Sequence, residues 1–511
     1  MGKTTAFAAE MQRGYTFEGR AVTLGGAVLD GHPLQGVQAK IPLAMLNRHG
    51  LIAGATGTGK TRSLQRLAES LSEASVPVLL MDIKGDLSGL AQPGTDDPKL
   101  RMRIDAIGEP WIAAGYPVEF LTISHESGVR LRATVSEFGP VLFAKILELN
   151  DTQSSVLSLI FKYADDQGLP LVDLKDLRKL IHYATNEGKT DLQRDYGTIS
   201  PASTGLMLRN IVEIEEQGAG MFFGEKSFDV EDLLRVDSRG QGIIHIVRLA
   251  DMQSRPRLFS TFMLSLLAEI FQKFPEEGDL DQPKLVLFID EAHLIFKEAT
   301  KALLVELETV MKLIRSKGVG IIFCTQSPTD IPPAILAQLG LKVQHALRAF
   351  TAADRKAIKL VAENYPMTAH YAVAELITRL GIGEALVTGL GATGEPTPLV
   401  QTLMAPPRSR MDTITDPERR QAIAGSALAA KYNQALDPES AYEMLSAKLN
   451  QVAQSQGAAR TPKATSGGEK YMKSLGKSVT TSIVRNITGH ITRTILGSIL
   501  GPARRRRSGV R

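Results

Sequence analysis

The sequence predicts an α/β fold in which a mainly parallel sheet is flanked by helices, and three observations predict it. The first is the stretch RHGLIAGATGTGKTRSL at residues 48–64. There a short apolar run (Leu51, Ile52, Ala53) feeds a glycine-rich loop and then a helical pattern. The second is a series of further short apolar runs separated by helical stretches, as expected of parallel strands buried on both faces. The third is the run KLVLFID at residues 284–290, whose final Asp290 opens the acid pair Asp290-Glu291.

Composition bounds the answer. A chain of 511 residues with 43% apolar side chains holds one large α/β domain with additions, or two to three domains. The single cysteine, Cys324, excludes an intrachain disulfide and fits a reducing, cytoplasmic location. The N-terminal segment lacks the continuous apolar core of a secretory signal. No uninterrupted apolar run approaches the ~18 residues that cross a bilayer. The net charge of +4 hides an asymmetry: residues 457–511 carry twelve Lys/Arg and one acid, Glu469, a balance of +11 that leaves the rest at −7. Attraction to polyanions therefore sits mainly in the tail.

In chain order, residues 1–45 read as a small β-rich N-terminal segment. Strands at 22–24 and 37–41, parted by Gly25-Gly26 and Asp30-Gly31-His32-Pro33 turns, would cover one edge of the main sheet. Gly2-Lys3-Thr4 repeats part of the glycine loop without a strand before it, and reads as an unstructured terminus. Residues 46–135 form the first part of the core: the loop, a helix at 61–71, and strands at 76–82 and 118–121. The strand at 76–82 runs into Asp82-Ile83-Lys84-Gly85-Asp86. Ligands of open α/β sheets bind at such strand ends, so Asp82, Lys84 and Asp86 are site candidates, a plain polar turn being the competing reading.

Residues 136–235 form a helical insertion, with helices at 138–149, 152–165, 174–184 and 203–216. Residues 236–405 restore the α/β rhythm as the second part of the core. Strands fall at 242–247, 284–290, 319–325, 342–347, 384–387 and 399–403, and helices at 258–271, 352–363 and 368–380. Residues 406–455 carry surface helices at 416–433 and 438–452. Residues 456–511 are a linker and a basic amphipathic tail, with apolar residues at 479, 483, 487, 491, 495 and 499 and the run Arg504 to Arg507. Membrane-surface docking, subunit packing and nucleic-acid contact are all open to that tail.

The motifs carry the chemistry. Gly54, Gly59, Lys60 and Thr61 fit Gly-x-x-x-x-Gly-Lys-[Ser/Thr], the Walker A pattern. Gly54, Gly57 and Gly59 let the backbone wrap a polyphosphate, so residues Gly54, Ala55, Thr56, Gly57, Thr58, Gly59, Lys60, Thr61 and Arg62 are the candidate nucleotide-binding set. Lys60 brings charge to the β/γ-phosphates, and the Thr61 hydroxyl ligates Mg2+ at the start of a helix whose dipole faces the anion. Asp290 is the second metal-side candidate and Glu291 the candidate base that polarises the attacking water, the Walker B arrangement. His293 either relays the state of the site or packs its helix. Gln326, at the end of the 319–325 strand, fits a γ-phosphate sensor. Cys324 on the same strand reads as a small buried hydrophobe. Among Arg315, Arg348 and Arg355, Arg315 is favoured as the arginine that a neighbouring subunit lends to the transition state.

The order GATGTGKT, FIDEAH, RSKGVGIIFCTQ and HALRAFT resembles the HerA–FtsK superfamily of ring-forming P-loop motors, in particular the bacterial YjgR-type branch with a HerA-like helicase C-terminal domain. The resemblance covers about residues 45–450 and leaves out the tail. It implies a P-loop NTPase core of the RecA/ASCE kind, ATP hydrolysis with Mg2+, and a hexameric ring with sites between subunits, acting on DNA as a helicase or translocase. The short N-terminus leaves little room for the β-barrel familiar in HerA proteins, and the acidic body offers DNA no obvious electrostatic footprint. The alternative from another class is a nucleotide-gated assembly or membrane-surface protein, in which hydrolysis sets the oligomer or tail state.

Overall fold

The computed structural model of the protein describes residues 2–458, apart from 299, 300 and 435. The expected basic tail therefore lies outside the described residues. The described chain builds one twelve-stranded mixed sheet with helices on both faces. Its strands are β1 (Ala21–Leu29), β2 (His32–Pro42), β3 (Gly50–Ala53), β4 (Val78–Asp82), β5 (Val118–Thr122), β6 (Val129–Arg130), β7 (Ile244–Arg248), β8 (Leu285–Ile289), β9 (Val319–Thr325), β10 (Leu341–His345), β11 (Glu384–Thr388) and β12 (Val400–Met404). The order is β2-β1-β12-β11-β10-β3-β9-β8-β4-β7-β5-β6. From β10 to β6 every pairing is parallel. From β10 outward through β11, β12, β1 and β2 every pairing is antiparallel.

The parallel strands are apolar on both faces because both faces are covered. In β8, Leu285, Leu287 and Ile289 enter one core while Val286 and Phe288 enter the other. This is the period of two of an extended chain, sorted between two buried layers. The helix that follows the glycine loop, Lys60–Glu73, packs on the second core through Leu64, Leu67, Ala68 and Leu71. The insertion and the long helix Pro256–Lys273 pack on the first.

Several expectations are corrected. The N-terminus is not unstructured: Lys3–Gly14 is a helix, with Phe7 and Met11 buried and Tyr15 buried just beyond. These three are four apart and form one stripe in the second core, the helix lying against β2. The Tyr15 hydroxyl donates to Pro398 O at 2.6 Å, and Phe7 meets the His370 ring edge-on at 4.9 Å. A further helix, Pro98–Ile107, was not anticipated; Asp97 caps it and Pro98 opens it, a start signal present in the sequence. The first insertion helix is Val135–Ile146, begun by a Thr134/Glu137 capping box and kinked at Gly139-Pro140. The surface helix expected at 416–433 is two helices, Asp416–Ala424 and Ala427–Tyr432, split where Ser426 caps the second.

Nor do the C-terminal helices simply lie on the surface. Leu428, Tyr432, Ala441 and Leu445 are buried in the first core. Tyr432 donates to Asp232, and Ser440 Oγ donates to Asp176 Oδ1 at 2.6 Å. This segment thus straps the helical insertion to the sheet. Among the described residues no helix is long and apolar enough to cross a membrane.

His49, just before β3, is buried at a left-handed φ of 59°. Its Nε2 faces Met311 O at 2.9 Å, and its Nδ1 accepts from Ile321 N at 3.0 Å. Only the neutral ring with Nε2–H satisfies both. Burial pushes its pKa down from 6.5 to about 4. The unfolded chain therefore binds this proton more tightly, so the stabilisation is fully present above pH 6.5 and is lost as pH falls toward 4. We expect the stability advantage of wild type over His49→Asn, which tolerates the backbone, to shrink by ~3 kcal/mol between pH 7 and pH 4 in urea melts.

Candidate functional site

The glycine loop joins β3 to the helix Lys60–Glu73 and is pinned from both neighbouring strands. Gly54 N donates to Thr325 O at 3.2 Å, at the end of β9, and Ala55 N to Ala346 O at 2.8 Å, just beyond β10. Gly54, Gly57 and Gly59 take φ of 155°, 77° and 112°. A Cβ on Gly54 would come within 2.5 Å of His345 Cβ, so glycine is required there by space as well as by conformation. Behind the loop, His345 Nδ1 donates to Glu384 O at 2.9 Å and its Nε2 accepts from Ser63 Oγ at 2.9 Å. Burial pushes its pKa down to about 4, so it is neutral. In front, Gly383 N donates to Thr58 O at 2.9 Å, and Arg103 Nη1 donates to Gly383 O at 2.9 Å. His345, Gly383 and Arg103 were not singled out from sequence. Each acts through folded proximity, with no signal in the local sequence.

Lys60 is buried, with its ammonium 3.2 Å from Ala55 O. Burial lowers its pKa; Cys324, Glu291 and Asp290 act against that, and Lys84 adds to it. Lys60 and the acid pair, 230 positions apart, are thus within electrostatic reach, because β3 and β8 flank β9. Thr61 follows Lys60 in the first turn of the helix. Arg62 is turned to Gln65 Oε1 at 2.9 Å.

Asp290 is 2% exposed, and its Oδ2 has no hydrogen-bond partner. Burial pushes its pKa up to about 6. Glu291 sits at a left-handed φ of 48°, an uncommon conformation for a non-glycine residue and a frequent companion of functional sites. Its carboxylate is paired with Lys84, with His293 Nδ1 at 3.0 Å, and at 3.5 Å with the Gln326 amide. Burial acts to raise its pKa, but the Lys84 pair outweighs burial and holds it below the usual range. Asp82 accepts from Gly85 N at 2.7 Å and Leu87 N at 3.3 Å, and burial, reinforced by Asp86, pushes it up to about 7. Cys324 is fully buried.

The structure therefore brings together residues 54–62, Asp82, Lys84, Asp86, Asp290, Glu291, His293 and Gln326. It does not bring Arg315 to them. Arg315 precedes β9, whereas the site lies beyond its far end, a strand of seven residues or roughly 20 Å away. There it pairs with Asp279 at 3.1 Å. Arg348 follows β10 on the site's side and donates to Thr378 O at 2.9 Å.

The description of the helicase HerA-like C-terminal family matches residues 28–470. The chain belongs to this family. Among curated proteins it is similar to the DNA double-strand break repair helicase HerA of Sulfolobus acidocaldarius, 22% identical over 376 residues. That match covers 69% of this chain and 64% of the relative, so the chain spans less than two thirds of that helicase. Among solved structures it is similar to the bacterial conjugative coupling protein TrwBdeltaN70, at 17% identity and a TM-score of 0.50, over 80% of this chain and 95% of that one. The VirB4 of Thermoanaerobacter pseudethanolicus aligns at 15% identity and a TM-score of 0.46, over 76% and 97%. Membership agrees with the P-loop NTPase fold that the sheet and its glycine loop build.

The loop geometry generates a graded expectation. Gly54→Ala, which meets His345, should cost at least ~3 kcal/mol in chemical denaturation. Gly57→Ala, with nothing within 4 Å of its Cβ, should cost only the ~1–2 kcal/mol of a left-handed alanine.

Proposed function

We propose that this chain is a Mg2+-dependent, ATP-hydrolysing motor ATPase of the YjgR-type branch, forming a hexameric ring in the cytoplasm and acting on DNA. The observation that carries the reading is the meeting of Lys60 with Asp290 and Glu291 at the carboxyl ends of β3 and β8, the two strands that flank β9. A lysine-bearing loop and an acid pair are the two halves of a phosphoryl-transfer site. The motif order supports the branch, and the helicase named among the relatives supports DNA as the polymer.

In this reading the amides of residues 54–62 and Lys60 hold the phosphates. The oxygen donors of Thr61 and Asp290 suit a hard divalent cation, and the unpartnered Asp290 Oδ2 is a ligand atom in waiting. Bound Mg2+ supplies charge neutralisation to the transferring phosphoryl group. Glu291, held ionised, orients and deprotonates the attacking water once it exchanges Lys84 for that water. Gln326, already touching Glu291, reports the terminal phosphate to it. Arg315, remote from its own chain's loop, completes the site of a neighbouring subunit in the ring.

Lys60→Ala should lower ATP turnover by at least about two orders of magnitude, and Glu291→Gln should retain bound ATP without turning it over. Turnover at the wild-type rate in either variant would remove the assignment. Mixing Lys60→Ala with Arg315→Ala subunits should recover part of the activity that each lacks alone, because mixed interfaces restore a complete site. No recovery would exclude Arg315 as the residue lent across the interface.

A further inference from the structure

Beside the nucleotide loop lies a second convergence of charge that the phosphate-binding residues do not use. Strands β4 and β8 are parallel neighbours with Met81 opposite Ile289. Asp82, the last residue of β4, and Asp290, directly after β8, therefore emerge side by side. The turn after β4 curls back, fixed by the hydrogen bond from Gly85 N to Asp82 Oδ1, and returns Asp86 to the same spot. One carboxylate oxygen from each of Asp82, Asp86 and Asp290 lies within 4.8 Å of the other two.

Three acids in proximity are common without a ligand, but here two of their oxygens are stranded. Asp290 Oδ2 and Asp86 Oδ1 are both shut off from solvent and accept no hydrogen bond. Asp290 as a whole is 2% exposed. The neighbouring cation, Lys84, leaves this need unmet because its ammonium is paired with Glu291. Buried carboxylate oxygens without a donor are costly unless a cation takes them. Oxygen pairs up to about 4–5 Å apart are what a hard divalent ion spans, with ligand bonds of roughly 2.0–2.6 Å on either side.

We propose that Asp82, Asp86 and Asp290 form a site for a hard divalent cation, of the Mg2+ or Mn2+ class, that fills in the absence of nucleotide. It differs from the phosphate-linked metal position in requiring neither Thr61 nor a polyphosphate. The two share Asp290, so the cation held between β4 and β8 sits against the one that accompanies nucleotide and screens the acids around it. Lys84, on the same turn, competes with the ion electrostatically.

The test uses the full chain, freed of metal and nucleotide, titrated with MnCl2 and followed by the electron paramagnetic resonance signal of free Mn2+. One saturable site per chain is expected. Asp86→Asn, at a half-exposed position that tolerates the change, should weaken it at least tenfold, and Thr61→Ala should leave it unaltered. Lys84→Ala should tighten it. Asp290→Asn is the second variant, expected to abolish uptake, with circular dichroism confirming that both acid variants are folded. Absence of saturable uptake up to millimolar Mn2+, uptake indifferent to Asp86→Asn, or uptake lost in Thr61→Ala would each overturn the proposal. The nucleotide reading is judged separately, by ATP turnover in Lys60→Ala, so the failure of one is distinguishable from the failure of the other.

Discussion

The buried ammonium of Lys60 is the constraint on which the site depends. Its close partner within the loop is a neutral carbonyl, and a buried cation is costly without an anion. Asp290 and Glu291 provide opposite charge from across β9, and Lys84 draws on the same two carboxylates. The result is a balance with room for one more polyanion and its metal. A polyphosphate entering the loop replaces the carbonyl as the partner of Lys60. It also adds negative charge beside Glu291, which makes that carboxylate a stronger base toward a nearby water.

The sheet order makes the balance inevitable. With β9 between β3 and β8, and β4 beyond β8, four parallel strands deliver their carboxyl ends to one rim. The surrounding structure then holds the rim rigid. His345 backs the loop, Gly383 caps it, and Arg103 clamps Gly383. On the loop helix, the buried Glu69 accepts from the backbone of Arg408 and Ser409, tying that helix to the chain beyond β12. The helical insertion and its C-terminal strap cover the opposite face.

Much of this was legible in the sequence because it rests on local pattern. The loop, its strand and its helix are contiguous, and β9 and the helix Ala352–Glu363 fall where periodicity put them. The strand ends at Asp82 and Asp290 were readable for the same reason. What was missed is non-local. Nothing near His345 announces that it backs a loop almost 300 residues earlier. The N-terminal helix has a faint local signal, since Phe7, Met11 and Tyr15 alone, one per helical turn, make its buried stripe. The C-terminal helices read as surface because Tyr432 and Leu445 bury themselves against residues distant in the sequence. Arg315 was expected to serve a neighbouring subunit, and the length of β9 holds it at the strand end away from its own chain's acids.

The most direct measurement is a structure of the full chain with Mg2+ and a non-hydrolysable ATP analogue. The terminal phosphate is expected to lie between the Lys60 ammonium and the Asp290–Glu291 carboxylates, with Glu291 turned from Lys84 toward a water in line with that phosphate. A nucleotide whose terminal phosphate points away from the acid pair, with the Lys84–Glu291 pair intact, would contradict it.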